Sequence, residues 1–357
     1  MNHFEEVSKE VLDGMLGKNS GIPMGFHRLS NHISIRKATY YLIGGYTGSG
    51  KTSLLDDAFV LNPMDYLLDN PSVNMEIIYF SMERRKNFKL AKWICRRIFL
   101  KTGRVIPLNR MMGWVEKKDR LTKDEHDLFL ESKDYIDALM TKITIIDGPK
   151  NPTAVRNYVD DYAAKNGVLD TSDKYNPKYY PNDPNKIVEV ISDHIGLTKL
   201  EKELTTKKAA IDKSSEDKQR MRDLYGFSPI DISQFNRDIS NPTRKKNGDV
   251  DPMLEDFKET GSTQENADIV LSLFDPYRYN VSDPSKYNIE KLRDSSGKKK
   301  YRNLKILKNS YGSDDIRIGL AFQPEIGYFS ELPKLENIKE KDYEEVLDNT
   351  YFLKNKY

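Results

Sequence analysis

From Thr39 onward the chain alternates short apolar runs with longer amphipathic stretches. "TYYLIGG", "MEIIYFSME", "KITIID" and "KIVEVISD" are short and almost uniformly apolar, which predicts strands buried on both faces. Between them, "KTSLLDDAFVL", "NFKLAKWICRRIFLKTG" and "NPTAVRNYVDDYAAKNG" repeat apolar residues at helical spacing. Later runs, "SPIDISQ", "ADIVLSLF", "RNLKILKN" and "IRIGLAF", follow one another closely, and the last of them can pair as hairpins. This order predicts an α/β fold with a mostly parallel twisted sheet flanked by helices. Glu189 sits oddly inside one of the buried runs.

Outside that pattern, Phe4, Val7, Val11, Leu12, Met15 and Leu16 recur at helical spacing and predict an amphipathic helix, ended by "GKNSGIPMG". Its apolar face has no partner nearby in sequence. Tyr175 to Asn185, rich in Tyr, Pro, Asn and Asp, reads as a loop insertion. Lys199 to Asp217, Asn241 to Asp251 and Tyr277 to Lys300 read as polar and irregular, and the C-terminal stretch from Leu335 reads as one weakly amphipathic helix.

The first strand runs directly into Gly45, Tyr46, Thr47, Gly48, Ser49, Gly50, Lys51 and Thr52, which satisfy G-x-x-x-x-G-K-[ST] in full. Such a loop turns successive N–H groups toward phosphates, and its glycines allow backbone angles that a Cβ would obstruct. Lys51 is expected to reach the β and γ phosphates of ATP, and Thr52 to offer its hydroxyl to Mg²⁺, with Ser53 continuing the cradle into a helix whose positive end adds to it. Hydrolysis also requires a metal-side acid and a group that positions water. Asp193 closes "IVEVISD" and suits the first role. Glu83 ends "IIYFSME", in a strand expected beside the P-loop strand, and is the candidate general base.

Composition narrows the setting. The chain has 357 residues, 31% of them charged, yet a formal net charge of only +2, so any nucleic-acid surface must be local. One cysteine, Cys95, excludes an intrachain disulfide framework and a cysteine-rich zinc site, and fits a reducing cytoplasm. No run approaches the roughly 20 apolar residues that span a bilayer.

Taken together these motifs resemble the RecA-like motor domain of ring-forming replicative helicases of the DnaB type (superfamily 4), phage versions especially. "GIPMGFHRLS" resembles the entry segment before the P-loop strand, "YFSMERRK" the motif of the catalytic glutamate (Glu83), and "ISDHIGL" the Walker B motif (Asp193). "ISQFNRD" is similar to the motif whose glutamine, here Gln234, senses the γ phosphate. "DFKETGSTQENADIVLSL" resembles the segment after a DNA-binding loop. The resemblance implies a RecA-like P-loop NTPase core over residues 21–334, preceded by a linker helix (1–20) that docks on an adjacent subunit, and followed by a helical tail (335–357). It also implies a hexameric homo-oligomer that passes single-stranded DNA through its centre, contacting phosphates with Arg244, Lys245 and Lys246. No primase-binding domain is recognised, so a separate primase or loader is expected.

One departure bears on catalysis. In the family a Lys-x-Arg pair carries an arginine into the neighbouring ATP site, an element worth on the order of 10³ or more in turnover. Here "LKNSYG" keeps Lys308 but has Ser310 in the arginine's position, leaving Lys308 or Arg302 as the replacement cation or the ATPase slow. Gln264, Glu265 and Asn266 also depart from the family's more usual Glu, Gln and Asp. Phe322 has two readings, a platform for the nucleobase or strand core; His194 is structural or lies just outside the phosphate contacts. The leading expectation is an ATP-dependent DNA helicase. Its alternatives are a RecA-like recombination ATPase that binds DNA without unwinding it and an assembly subunit in which ATP only joins protomers.

Overall fold

The computed structural model describes residues 3–236, 243–244, 250–257 and 261–355. In chain order its strands are β1 (Tyr41–Gly45), β2 (Met75–Ser81), β3 (Ile143–Asp147), β4 (Gly167–Asp170), β5 (Lys178–Pro181), β6 (Ile187–Asp193), β7 (Ser228–Gln234), β8 (Ile269–Phe274), β9 (Tyr301–Asn309), β10 (Arg317–Gln323) and β11 (Tyr328–Glu331). Nine of them form one central sheet in the order β11-β10-β9-β8-β1-β7-β6-β2-β3. The strands from β8 across to β3 pair in parallel, and β9 to β11 add an antiparallel wing.

Alternate residues of the buried strands face two separate cores, which is why these runs are apolar throughout rather than alternating. Ile77, Tyr79 and Ile191 pack under the helix that starts at Lys51, together with Trp93 of the Lys86–Thr102 helix and Leu139 of the Lys133–Met140 helix. Ile78, Phe80, Val188 and Val190 pack on the other face, against Val155 and Val159 of the Pro152–Asn166 helix and Met221 of the Lys207–Tyr225 helix. The helix after the P-loop begins as α-helix (Lys51–Leu55), widens to a π-helical segment (Asp56–Leu61), and resumes as α-helix (Asn62–Asp69).

The N-terminal helix, His3–Met15, leaves its apolar side in solvent: Phe4 is 75% exposed and Met15 80%. By contrast Met24, Phe26, Leu29 and Ile33 are buried in the main core, so the packed body begins just after this helix.

Several expectations need correction. The strand leading to Glu83 is not beside the P-loop strand, because β7 and β6 pair between β1 and β2. The insertion is not simply a loop. Its β5 pairs with β4 as an antiparallel hairpin, and Tyr179 tucks its ring against Tyr225 and Phe227. The supposedly irregular Lys199 to Asp217 becomes helical from Lys207, with Thr206 capping the Ala209 N–H. The sparse apolar residues of this helix, Ala210, Ile211 and Met221, all lie buried and anchor it. The C-terminal stretch forms two short helices, Glu340–Leu347 and Thr350–Lys354, broken at Asn349 in the left-handed region. Tyr343, Val346, Tyr351 and Phe352 bury themselves beside Phe99 and Tyr328, which makes this stretch part of the body.

Candidate active site

A P-loop cradle forms where the fully buried β1 ends and the chain must turn sharply into a helix. Gly50 has φ of +104°, a left-handed angle that disfavours any side chain, and a Cβ there would lie 3.1 Å from Phe329 and 3.2 Å from Phe322. Lys51 Nζ donates to the carbonyls of Gly45 and Tyr46, both at 2.7 Å. Burial pushes this ammonium down to about 8, against the opposing pull of Asp193 and Glu83.

Two arginines brace the loop. Arg302 Nε donates to Ser49 O at 2.8 Å, and Arg278 donates to Thr47 O at 2.6 Å. Arg302 also pairs with Asp275 at 3.3 Å, and it is buried against its own chain's loop. That rules it out as a cation offered to a neighbouring subunit.

Thr52 Oγ1 donates to Asp193 Oδ1 at 3.0 Å, joining the end of the cradle to the end of β6. Both are hard oxygen donors beside the loop lysine, the donor chemistry that suits Mg²⁺. The remaining Asp193 oxygen, Oδ2, lies 3.1 Å from the Tyr79 hydroxyl and 3.3 Å from Lys89 Nζ. Lys89, Tyr79 and Asp56 escape a reading of the sequence. One signal is available there, a lysine falling among the inward positions of "NFKLAKW".

Above the loop, a cavity of about 220 Å³ is lined by Lys51, Thr52, Glu83, Arg84, His194 and Gln234, with Thr47, Gly48, Gly50 and Ser53 at its base. The residues expected to bind phosphate, position water and sense the nucleotide therefore converge, although they follow or end β1, β2, β6 and β7. Glu83 is exposed at the cavity wall. His194 Nε2 lies 3.4 Å from Gln234 Nε2, and burial lowers its imidazole below the ordinary range, with Glu83 and Asp193 acting in the opposite direction.

Other expected residues lie elsewhere. Phe322 is 5% exposed, stacked on Phe329 with ring centroids 4.3 Å apart, and covered by the Arg302 guanidinium. It is strand core and has no face to offer a nucleobase. Lys308 is level with Val270 near the start of β8, whereas the P-loop follows the end of β1, so Lys308 stands at the opposite edge of the sheet. Its Nζ donates to the carbonyls of Gln264 (3.1 Å) and Glu265 (2.8 Å). Arg244 pairs with Asp256, while Lys245 and Lys246 lie outside the described residues.

Residues 21–331 match the family model described as DnaB-like helicase C terminal domain. The chain belongs to that family. It is accordingly an ATP-hydrolysing helicase domain of the DnaB-like replicative type. Among solved structures, the ATPase domain of a phage helicase is similar over 93% of this chain and 100% of that one, with 20% identity and a TM-score of 0.67. A DnaB-like replicative helicase, solved in a study of its interactions with primase, is similar over 93% of this chain and 67% of that one, with 20% identity and a TM-score of 0.64. Both likenesses bear on the fold, a RecA-like ATPase core. No curated protein gives a significant match. No helix among the described residues is long and apolar enough to cross a membrane.

Proposed function

We propose that this domain works as a ring-shaped, sixfold motor in the replication machinery, drawing single-stranded DNA through its centre and unwinding duplex by ATP hydrolysis. The observation that carries this reading is the convergence of Lys51, Thr52, Glu83 and Gln234 on one cavity, with Asp193 bonded to Thr52. Lys51 binds the outer phosphates, and Gln234 contacts the terminal one. Glu83, on the cavity wall, orients the attacking water and takes its proton on a carboxylate oxygen. Thr52 and Asp193 would hold Mg²⁺, which neutralises phosphate charge when bound.

Assembly is supported by the apolar face that the His3–Met15 helix leaves in solvent, a surface suited to docking on a second copy. In such a ring Lys308, remote from its own cavity, supplies a cation to the adjacent subunit's site. The cations around Arg244 to Lys246 contact DNA phosphates, and a separate primase or loader completes the machinery in a cytoplasmic, phage-type setting. ATP hydrolysis stimulated by single-stranded DNA, with displacement of a forked duplex, is the expected result. DNA-indifferent hydrolysis would overturn the motor reading, and stimulated hydrolysis without displacement would favour a RecA-like binding ATPase, the alternative that Ser310 keeps open.

A further inference from the structure

Behind the Thr52–Asp193 contact lies a charge cluster in the interior of the domain. Lys89 is only 3% exposed, and its ammonium has three protons and three oxygen partners: Tyr79 Oη at 2.6 Å, Asp56 Oδ1 at 3.2 Å and Asp193 Oδ2 at 3.3 Å. Asp56 is fixed in turn by Trp93 Nε1, which donates to its Oδ2 at 3.0 Å. Asp56 comes from the first position of the π-helical segment and Lys89 from the Lys86–Thr102 helix, so two elements contribute opposite charges to one point.

The Tyr79 hydroxyl has one proton, yet it stands 3.1 Å from both Asp56 Oδ1 and Asp193 Oδ2. It can donate to one at a time, and Lys89 supplies the bond that the other lacks. A lone buried ammonium this close to Asp193 would compete with any cation for the carboxylate. Asp56 cancels that charge, so Asp193 keeps its own while its Oδ2 remains tied and its Oδ1 stays turned toward Thr52.

We propose that Asp56 and Lys89 form a positioning pair for the metal-side carboxylate: Lys89 fixes Asp193 Oδ2, and Asp56 offsets the lysine's charge. This rests on the reading of Thr52 and Asp193 as the Mg²⁺ residues. Partners that orient a metal ligand typically change metal affinity by about 10- to 100-fold when removed.

The test is Mn²⁺ binding to the ADP-loaded protein, followed by the EPR signal of free Mn²⁺, with circular dichroism to check folding. Wild-type protein that bound no Mn²⁺ would sink the metal-site reading itself. Given wild-type binding, Asp56→Asn and Lys89→Met should each weaken it by about tenfold or more. The double variant should return to near the wild-type value, because the Tyr79 proton is then free for Asp193 alone. Either single variant binding Mn²⁺ as tightly as wild type, or a double variant no tighter than the singles, would overturn the proposal. Should a single variant fail to fold, the double variant decides, with tight binding in favour and lost binding against.

Discussion

Arg302 donates from Nε to the carbonyl oxygen of Ser49 over 2.8 Å, tying the antiparallel wing to the middle of the phosphate loop. A charged hydrogen bond of this kind contributes about 1.5–3 kcal/mol. Arg302→Met is therefore expected to lower nucleotide affinity by roughly tenfold or more through a slackened loop. Titration with a fluorescent ADP analogue checks this. Unchanged affinity would mean that the loop holds its shape without the brace.

Lys308 tests whether a subunit reaches its neighbour's site. Lys308→Ala should leave nucleotide affinity unaltered, since the side chain is an entire sheet edge away from its own cavity. DNA-stimulated turnover should fall by about 10³, the scale of a cation acting on transition-state charge. Mixing this variant with Glu83→Gln protein should recover part of the activity, because each supplies what the other lacks. Turnover that survived the substitution would remove Lys308 from the mechanism.

Phe322 separates packing from base recognition. Truncating a buried aromatic costs about 3–5 kcal/mol through lost contacts and the cavity left behind. Phe322→Ala should lower the melting temperature and leave the ratio of ATP to GTP affinity where it was. A changed ratio without a change in melting would reverse the assignment to core.

Glu189 predicts a pH dependence. Its carboxyl is fully buried, both oxygens lack a hydrogen-bond partner, and burial raises its proton affinity well above the ordinary carboxylate range. The folded chain therefore holds this group protonated while the unfolded chain releases the proton near pH 4.3, so stability is fullest below about that value and is lost as pH rises above it. Glu189→Met should raise stability by about 1–3 kcal/mol at pH 7 and by less at pH 4. Thermal unfolding at both pH values measures the difference, and an equal gain at each would refute the assignment. Nothing in the structure explains why a glutamate is kept there.

The sheet and the phosphate loop were legible because they rest on local signals: uniformly apolar runs and a glycine spacing with one steric purpose. Strand order was not, since no local feature of "MEIIYFSME" says that β6 and β7 come between it and β1. The Asp56–Lys89 pair stayed hidden for a related reason. Each residue looks like the charged side of an amphipathic helix until a π-helical segment and a neighbouring helix turn both inward. Phe322 was ambiguous because a buried aromatic and a base platform share the same residue type, and only its contacts with Phe329 and Arg302 distinguish them.

The pairing register carries a mechanical consequence. Gly45 is level with Gln234, and Ser81 with Asp193, so the strands leading to the loop, the sensor, the metal acid and the base all finish along one straight shelf. Slipping any of them by a single position would flip its buried side chains from one core to the other, which leaves no small sliding motion to serve as a throttle. Control over the timing of each power stroke must then come from above the shelf, by what a neighbour lowers onto it.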